Sequence, residues 1–286
     1  MIMPTFRFAP SPNGRLHLGH AFSALLNERM AREAGGRSLL RVEDIDTVRC
    51  TPELARAMLA DLAWLGLRWE EPVLRQSEHL ERYHAVQQRL RDRGLLYPCF
   101  CSRRDIVRKT GPDAPRDPEG QPLYPGTCRH VSAGDRAARI ARGDPAAWRI
   151  DMTLALAELR TPLLFSEQSS GAAVLEIARP ESWGDVVLVR KDIATSYHIA
   201  VVTDDAQQDI SHVVRGRDLF HATAVHRLLQ YLLALPVPTY FHHPLIGDET
   251  GRKLSKSFGS RSLDDLRRGG VSAAEVRSEL GFPDRD

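Results

Sequence analysis

The apolar positions of this chain switch between strand and helix spacing from its first residues. Thr5 to Ala9 is short, partly β-branched and aromatic, and Pro10, Pro12 and Gly14 follow, which predicts a strand and then a turn. Leu18, Phe22, Leu25 and Leu26 recur at helical spacing and predict a helix to about Ala34, ended by Gly35-Gly36. Ser38 to Glu43 reads as a second strand, and strand, helix, strand in that order is one βαβ unit of a parallel sheet. Thr51-Pro52 supplies a cap and a first-turn proline for a helix striped by Leu54, Met58, Leu62 and Leu65. Glu78 to Arg93 reads as a charged surface helix. Thr110 to Gly126 holds five prolines and three glycines, too many for regular structure. Arg129 to Ala147, rich in Ala and Arg, reads as a solvated helical face. Val186 to Val189 and Ile199 to Thr203 read as strands, and Thr223 to Leu235 as a helix stopped by Pro236 and Pro238. Ser272-Ala273-Ala274-Glu275 is a capping box that starts a last short helix.

Composition narrows the class. With 286 residues, 42% hydrophobic and 27% charged, the chain is a globular protein of about two domains, not a disordered, collagenous or coiled-coil one. Its longest strongly apolar stretch, Leu228 to Leu235, is far short of the roughly 18 residues of a membrane span. The start, MIMPTFRF, lacks the basic and apolar regions of a secretory signal. Net charge is 39 minus 37, or +2, too balanced for wholesale nucleic-acid binding. A local basic face is still open, and Arg103, Arg104, Arg108 and Lys109 read either as phosphate contacts or as a solvated charged face. Four cysteines are too few for a disulfide scaffold. Three of them, Cys99, Cys101 and Cys128, share one segment, which points to a metal in a reducing cytoplasm.

Three constellations carry candidate chemistry. His17-Leu18-Gly19-His20 sits where a strand has ended and a helix begins, so unpaired backbone N–H groups and the positive dipole end favour an anion there. Gly19 lets a flat ring or phosphate approach, and the two histidines, three residues apart on one helical face, can donate to phosphate oxygens. Lys253-Leu254-Ser255-Lys256-Ser257 can hold a polyphosphate by point charges and hydroxyls. Taken singly, each also reads as an ordinary surface element. In the third constellation, Cys99, Cys101 and Cys128 bracket the Pro/Gly-rich loop and suit a tetrahedral zinc with a fourth ligand. Tyr124 and His130 compete for that place, and chemistry alone favours His130, because imidazole is the commoner ligand.

Together, in this order, the histidine pair and the lysine loop resemble the HIGH and KMSKS motifs of class I aminoacyl-tRNA synthetases. Arg7-Phe8-Ala9-Pro10-Ser11-Pro12-Asn13-Gly14 and Arg41-Val42-Glu43-Asp44-Ile45-Asp46 resemble the glutamyl branch. Tyr197-His198-Ile199-Ala200, Asp204-Asp205 and His212-Val213-Val214-Arg215-Gly216 continue the likeness, which covers nearly the whole chain. The resemblance implies an α/β, Rossmann-like class I synthetase catalytic domain with an inserted zinc-containing, acceptor-binding-like subdomain and a short helical C-terminal region. It divides the chain into 1–98 and 180–240 as the halves of the catalytic domain, 99–179 as the insertion, and 241–286 as the lysine loop with the helical remainder. It implies His17, His20 and Lys256 as catalytic groups, and His17, Gly19, His20, Lys253, Ser255 and Lys256 around ATP. Glutamate falls to Arg7, Ala9, Ser11, Glu43, Tyr197 and Arg215. A guanidinium fork suits either substrate carboxylate, Glu43 suits the ammonium, and Ser11 and Tyr197 supply directional hydrogen bonds. For the metal the resemblance implies Cys99, Cys101, Tyr124 and Cys128.

Two departures refine it. Longer glutamyl-tRNA synthetases continue into an anticodon-binding domain, whereas 29 residues follow Ser257 here. They also carry an Asn where this chain has Val201, so one amide contact to the amino acid is expected to be missing. Both departures resemble the short glutamyl-Q tRNA(Asp) synthetase family. That likeness implies activation of L-glutamate by ATP with Mg2+, and transfer to the queuosine base in the anticodon stem-loop of tRNA(Asp). The implied protein is a cytoplasmic monomer with one structural Zn2+. Alternatives are a truncated synthetase charging a tRNA 3′ end, or a non-catalytic synthetase-derived RNA-binding protein.

Overall fold

The computed structural model describes residues 3–169, 172–193, 195–246 and 261–283. In chain order its elements are β1 (Thr5–Phe8), α1 (Leu18–Glu33), β2 (Arg37–Val42), α2 (Pro52–Trp64), β3 (Leu74–Arg75), α3 (Leu80–Asp92), β4 (Leu96–Cys99), α4 (Arg103–Thr110), α5 (Ala133–Ala141), β5 (Ala147–Ile150), α6 (Met152–Ala157), β6 (Leu164–Ser169), β7 (Ala172–Ile177), β8 (Val187–Val189), α7 (Tyr197–Gln207), β9 (His212–Gly216), α8 (Ala222–Leu233), β10 (Thr239–His243), α9 (Leu263–Arg268) and α10 (Ala273–Glu279).

Seven strands form one sheet in the order β3-β2-β1-β9-β10-β6-β7. All neighbours in it are parallel except the closing β6–β7 pair. Successive side chains of β9 enter opposite faces, as strand pleating requires. Val214 joins Phe6, Leu25, Leu40, Met58 and Leu62 under α1 and α2, whereas Val213 joins Tyr83, Val201, Leu228 and Tyr240 under α3, α7 and α8. Helices therefore cover both faces, and each fully buried leucine contributes roughly 1.5–3 kcal/mol. From β1 the order runs one way through β2 and β3, and the other way through β9 and β10. That reversal leaves a crevice at the carboxyl ends of β1 and β9, where open α/β sheets bind ligands. A second sheet, β4-β5-β8, is antiparallel and lies apart from the first in strand order.

The predicted βαβ unit, both predicted helix caps and the unstructured Pro/Gly run are present. Thr51 caps α2 with Pro52 in its first turn, and Ser272 and Glu275 cap α10 reciprocally. Ile199 to Thr203, expected as a strand, lies inside α7. Ser196 caps that helix, and its Ile199-to-Asp205 stretch is buried without a break. A helix that is apolar all round its middle shows no 3.6-residue contrast, so its short apolar run cannot be told from a core strand. The charged Glu78–Arg93 segment is also less of a surface helix than expected. It opens with a turn at Gln76–Glu78, and α3 buries Tyr83, Val86, Gln87 and Leu90. Strand β7 ends the large sheet with Val174, Leu175 and Ile177 exposed by 49, 69 and 57%.

Candidate active site

A cavity of about 600 Å³ opens at the β1/β9 reversal. Arg7, Ala9, Ser11, Glu43, Tyr197 and Arg215 all line it, and so do His17, Gly19 and His20. Lys253, Ser255 and Lys256 lie outside the described residues. The described residues on either side of them are at this cavity. Ile246 lines it, and Ser262 bridges to His17, with the Leu263 N–H donating to the Leu16 carbonyl at 2.9 Å.

The histidines are arranged differently from two residues on one helical face. His17 is the cap of α1, with extended backbone, and its Nδ1 accepts the Gly19 N–H at 3.1 Å. The His17 N–H in turn donates to His20 Nδ1 at 3.2 Å, and the rings sit 3.9 Å apart. Because each Nδ1 accepts, a neutral ring carries its proton on Nε2, as a donor. Space at Gly19 is tight: a Cβ there would lie 3.0 Å from the His17 ring, which would have to give way.

At the other end lies a buried ion lattice. Asp205 accepts from Arg7 Nε at 3.0 Å and Nη2 at 3.4 Å, and from Arg41 Nη2 at 2.7 Å. Burial pushes the Asp205 carboxyl up, but the two guanidiniums outweigh it and hold it below its ordinary value. Glu43 lies 3.8 Å from Arg41 Nη1, too far for a hydrogen bond. Burial dominates there and pushes the Glu43 carboxyl up to about 7, against the pull of Arg41 and Arg7. Bidentate pairing with Asp205 uses Arg7 Nε and Nη2 and leaves its Nη1 outside that pair.

Among the described residues Arg215 has only neutral hydrogen-bond partners. Its Nε donates to His242 Nε2, one Nη to the Tyr197 hydroxyl and His226 Nδ1, the other to the Leu219 carbonyl and Thr223 Oγ1. Burial, reinforced by the Arg215 charge, keeps His226 and His198 neutral. Since Tyr197 accepts from Arg215, its own proton is left to donate. Gly216 follows, and a Cβ there would collide with Asp218 Oδ1 at 2.4 Å.

Val201 is buried in the core beside Ile199 and does not line the cavity. Cys50 is buried next to a lining residue, its Sγ 3.4 Å from Ser11 Oγ. Sequence reasoning named Asp205 only within a motif, and missed Glu167, Thr223, His226 and His242. The signal for Glu167 and His242 lies in strand register, and that for Thr223 and His226 in how α8 packs against the sheet, neither of which a single sequence displays.

In the smaller sheet's region the Sγ atoms of Cys99, Cys101 and Cys128 lie within 4.8 Å of one another. Tyr124 Oη is 3.6 Å from Cys101 Sγ and accepts the Cys128 N–H at 2.8 Å. His130 is exposed and does not join this group, so geometry favours the phenol over the imidazole as fourth donor. Arg103, Arg104, Arg108 and Lys109 are exposed on α4, which buries no residue.

A cavity at a parallel-sheet reversal, with a histidine-capped helix start at one end and buried arginines at the other, suits an anionic group at each end. The catalytic-domain model of class I tRNA synthetases (E and Q) matches residues 5–274, and the chain belongs to that family. It is 46% identical to the Glutamyl-Q tRNA(Asp) synthetase of Rhodobacter capsulatus, over 96% of this chain and 99% of that protein. Identity to the protein of the same name from Nocardia farcinica is 44%, over 98% of this chain and 85% of that one. A crystal structure of a glutamate tRNA ligase from Elizabethkingia meningosepticum, in complex with its amino acid, superposes with a TM-score of 0.71 at 26% identity. The match covers 91% of this chain and 54% of the ligase, so this chain spans about half that length. Among the described residues no helix is long and apolar enough to cross a membrane.

Proposed function

We propose that the protein activates L-glutamate with ATP and Mg2+ and transfers it to the queuosine base in the anticodon loop of tRNA(Asp). The carrying observation is that the six candidate glutamate contacts and the α1 histidine pair line one cavity. The names of the R. capsulatus and N. farcinica relatives support the acceptor.

In this reading the substrate's two carboxylates face Arg7 Nη1 and the Tyr197–Arg215 pair, with its ammonium at Glu43 and Ser11 and the Ala9 backbone alongside. ATP phosphates meet the start of α1, where Gly19 permits close approach and the His17 and His20 Nε2–H groups donate; Lys253, Ser255 and Lys256 complete the phosphate contacts. A carboxylate oxygen attacks the α-phosphorus in line and pyrophosphate departs, a step governed by positioning and charge stabilisation. Mg2+ carried with ATP neutralises phosphate charge. A hydroxyl of the queuosine cyclopentenediol then displaces AMP from the mixed anhydride, giving an ester. The exposed cations of α4 suit the RNA backbone.

Cys99, Cys101, Tyr124 and Cys128 would hold one structural Zn2+ that pins the Pro/Gly-rich segment. The proposed division is 1–98, 99–179, 180–240 and 241–286. Within it the insertion contributes β6 and β7 to the large sheet, and the smaller sheet draws β4 and β8 from its margins.

Glutamate-dependent ATP–pyrophosphate exchange without RNA tests catalysis, and charging of tRNA(Asp) with and without queuosine tests the acceptor. Exchange, with charging only of queuosine-bearing tRNA(Asp), is the expected result. Equal charging of unmodified tRNA(Glu) overturns the reading in favour of 3′-end acylation.

A further inference from the structure

Arg215 dictates the state of a histidine that never touches the cavity. Its Nε donates to His242 Nε2 at 3.0 Å, so that nitrogen must keep its lone pair and the ring proton must sit on Nδ1. Glu167 Oε2 lies 2.8 Å from that Nδ1, and Glu167 Oε1 accepts the His242 backbone N–H, also at 2.8 Å. Both carboxylate oxygens are thus committed to one residue. Register explains the alignment. His242 on β10 stands opposite Arg215 on β9, and Tyr240, two residues earlier on the same face, stands opposite Glu167 on β6. A negative charge thereby reaches the back of a guanidinium whose direct hydrogen-bond partners among the described residues are all neutral. Neither Glu167 nor His242 lines the cavity, whereas Arg215 does.

We propose that Glu167, acting through the Nδ1–H form of His242, is a positioning residue for Arg215 and so sets the affinity of the cavity for the substrate carboxylate. The proposal rests on the reading of Arg215 as a carboxylate-facing group. It gives β6 a part in glutamate recognition through β10 and β9, although that strand lies two places from the cavity wall.

Glu167→Gln is the informative change because it alters hydrogen-bond polarity at nearly constant shape. The His242 backbone N–H can only donate, so the amide oxygen stays with it and the NH2 group turns to Nδ1. The ring must then carry its proton on Nε2, facing the Arg215 Nε–H donor to donor. His242→Asn tests the same link from the other side. It keeps a donor for Glu167 but is too short to place an acceptor where Nε2 meets Arg215.

The experiment measures KM for L-glutamate and for ATP in pyrophosphate exchange with the full chain, beside melting temperatures and the 15N signature of the His242 ring. Both variants should raise the KM for glutamate by roughly 10- to 100-fold while that for ATP moves by less than about two-fold. In Glu167→Gln the ring should change from the Nδ1–H to the Nε2–H form. An unchanged KM for glutamate overturns the proposal, and so does a parallel rise in both KM values with a fallen melting temperature. Arg215→Lys separates the two levels. If it leaves the KM for glutamate unchanged, the underlying reading of Arg215 fails; if it raises that KM while Glu167→Gln does not, only the present proposal fails.

Discussion

Glu43 shows how burial and charge divide the work of the cavity. Its carboxyl titrates at about 7 because burial outweighs the attraction of Arg41 and Arg7. The folded value lies above the ordinary 4.5, so the stability this group contributes is full below about pH 4.5 and is lost as pH rises to about 7. Substrate recognition runs the opposite way, since only the ionised form attracts the ammonium. The kcat/KM for glutamate should therefore rise as pH increases through about 7, and Glu43→Gln should flatten that limb in a pH–rate profile. Asp205 is the complementary case. It compensates two buried guanidiniums, and Asp205→Ala should cost about 3–5 kcal/mol in urea unfolding. Arg7, Glu43 and Arg215 were legible as candidates through the motifs that carry the family resemblance; their charges suit an amino acid but do not by themselves single them out. Asp205 stood in a recognised motif, but its grip on Arg7, 198 residues away, is set by how α7 packs beneath β1.

At the scale of elements, amphipathic segments were legible and buried ones were not. The α1 and α2 stripes and the Ser272–Glu275 cap declare themselves through local spacing. Helix α7 does not, because polar contrast is lost once a helix is covered on nearly every side. The hairpin β6–β7 was silent for a different reason, as its placement depends on pairing with β10, some seventy residues on. The Pro/Gly-rich segment was read correctly as irregular, and Cys99 and Cys128 pack with Tyr97 and Phe100 in a small cluster at its edge. Metal analysis should find about one zinc per chain, and Cys101→Ser should lose it. Chelation should speed protease cleavage between Thr110 and Gly126 while leaving the large sheet intact by circular dichroism.

For the whole molecule, the reversal of strand order matters more than any single contact. It places the carboxyl ends of β1 and β9 side by side, and thus brings residues near position 10 and near position 215 to one cavity. The motifs foretold that meeting; how far the large sheet extends, they did not. Among the described residues β7 pairs with β6 alone, so its outer margin carries backbone N–H and C=O groups without a strand partner, beside the exposed Val174, Leu175 and Ile177. Native proteins usually blunt such margins with lysine or proline. Concentrated solutions should therefore cluster through this strand, with light scattering that grows with protein concentration. Leu175→Lys should suppress the scattering and leave exchange kinetics untouched, making the unblunted margin a handle on solubility that can be turned without disturbing catalysis.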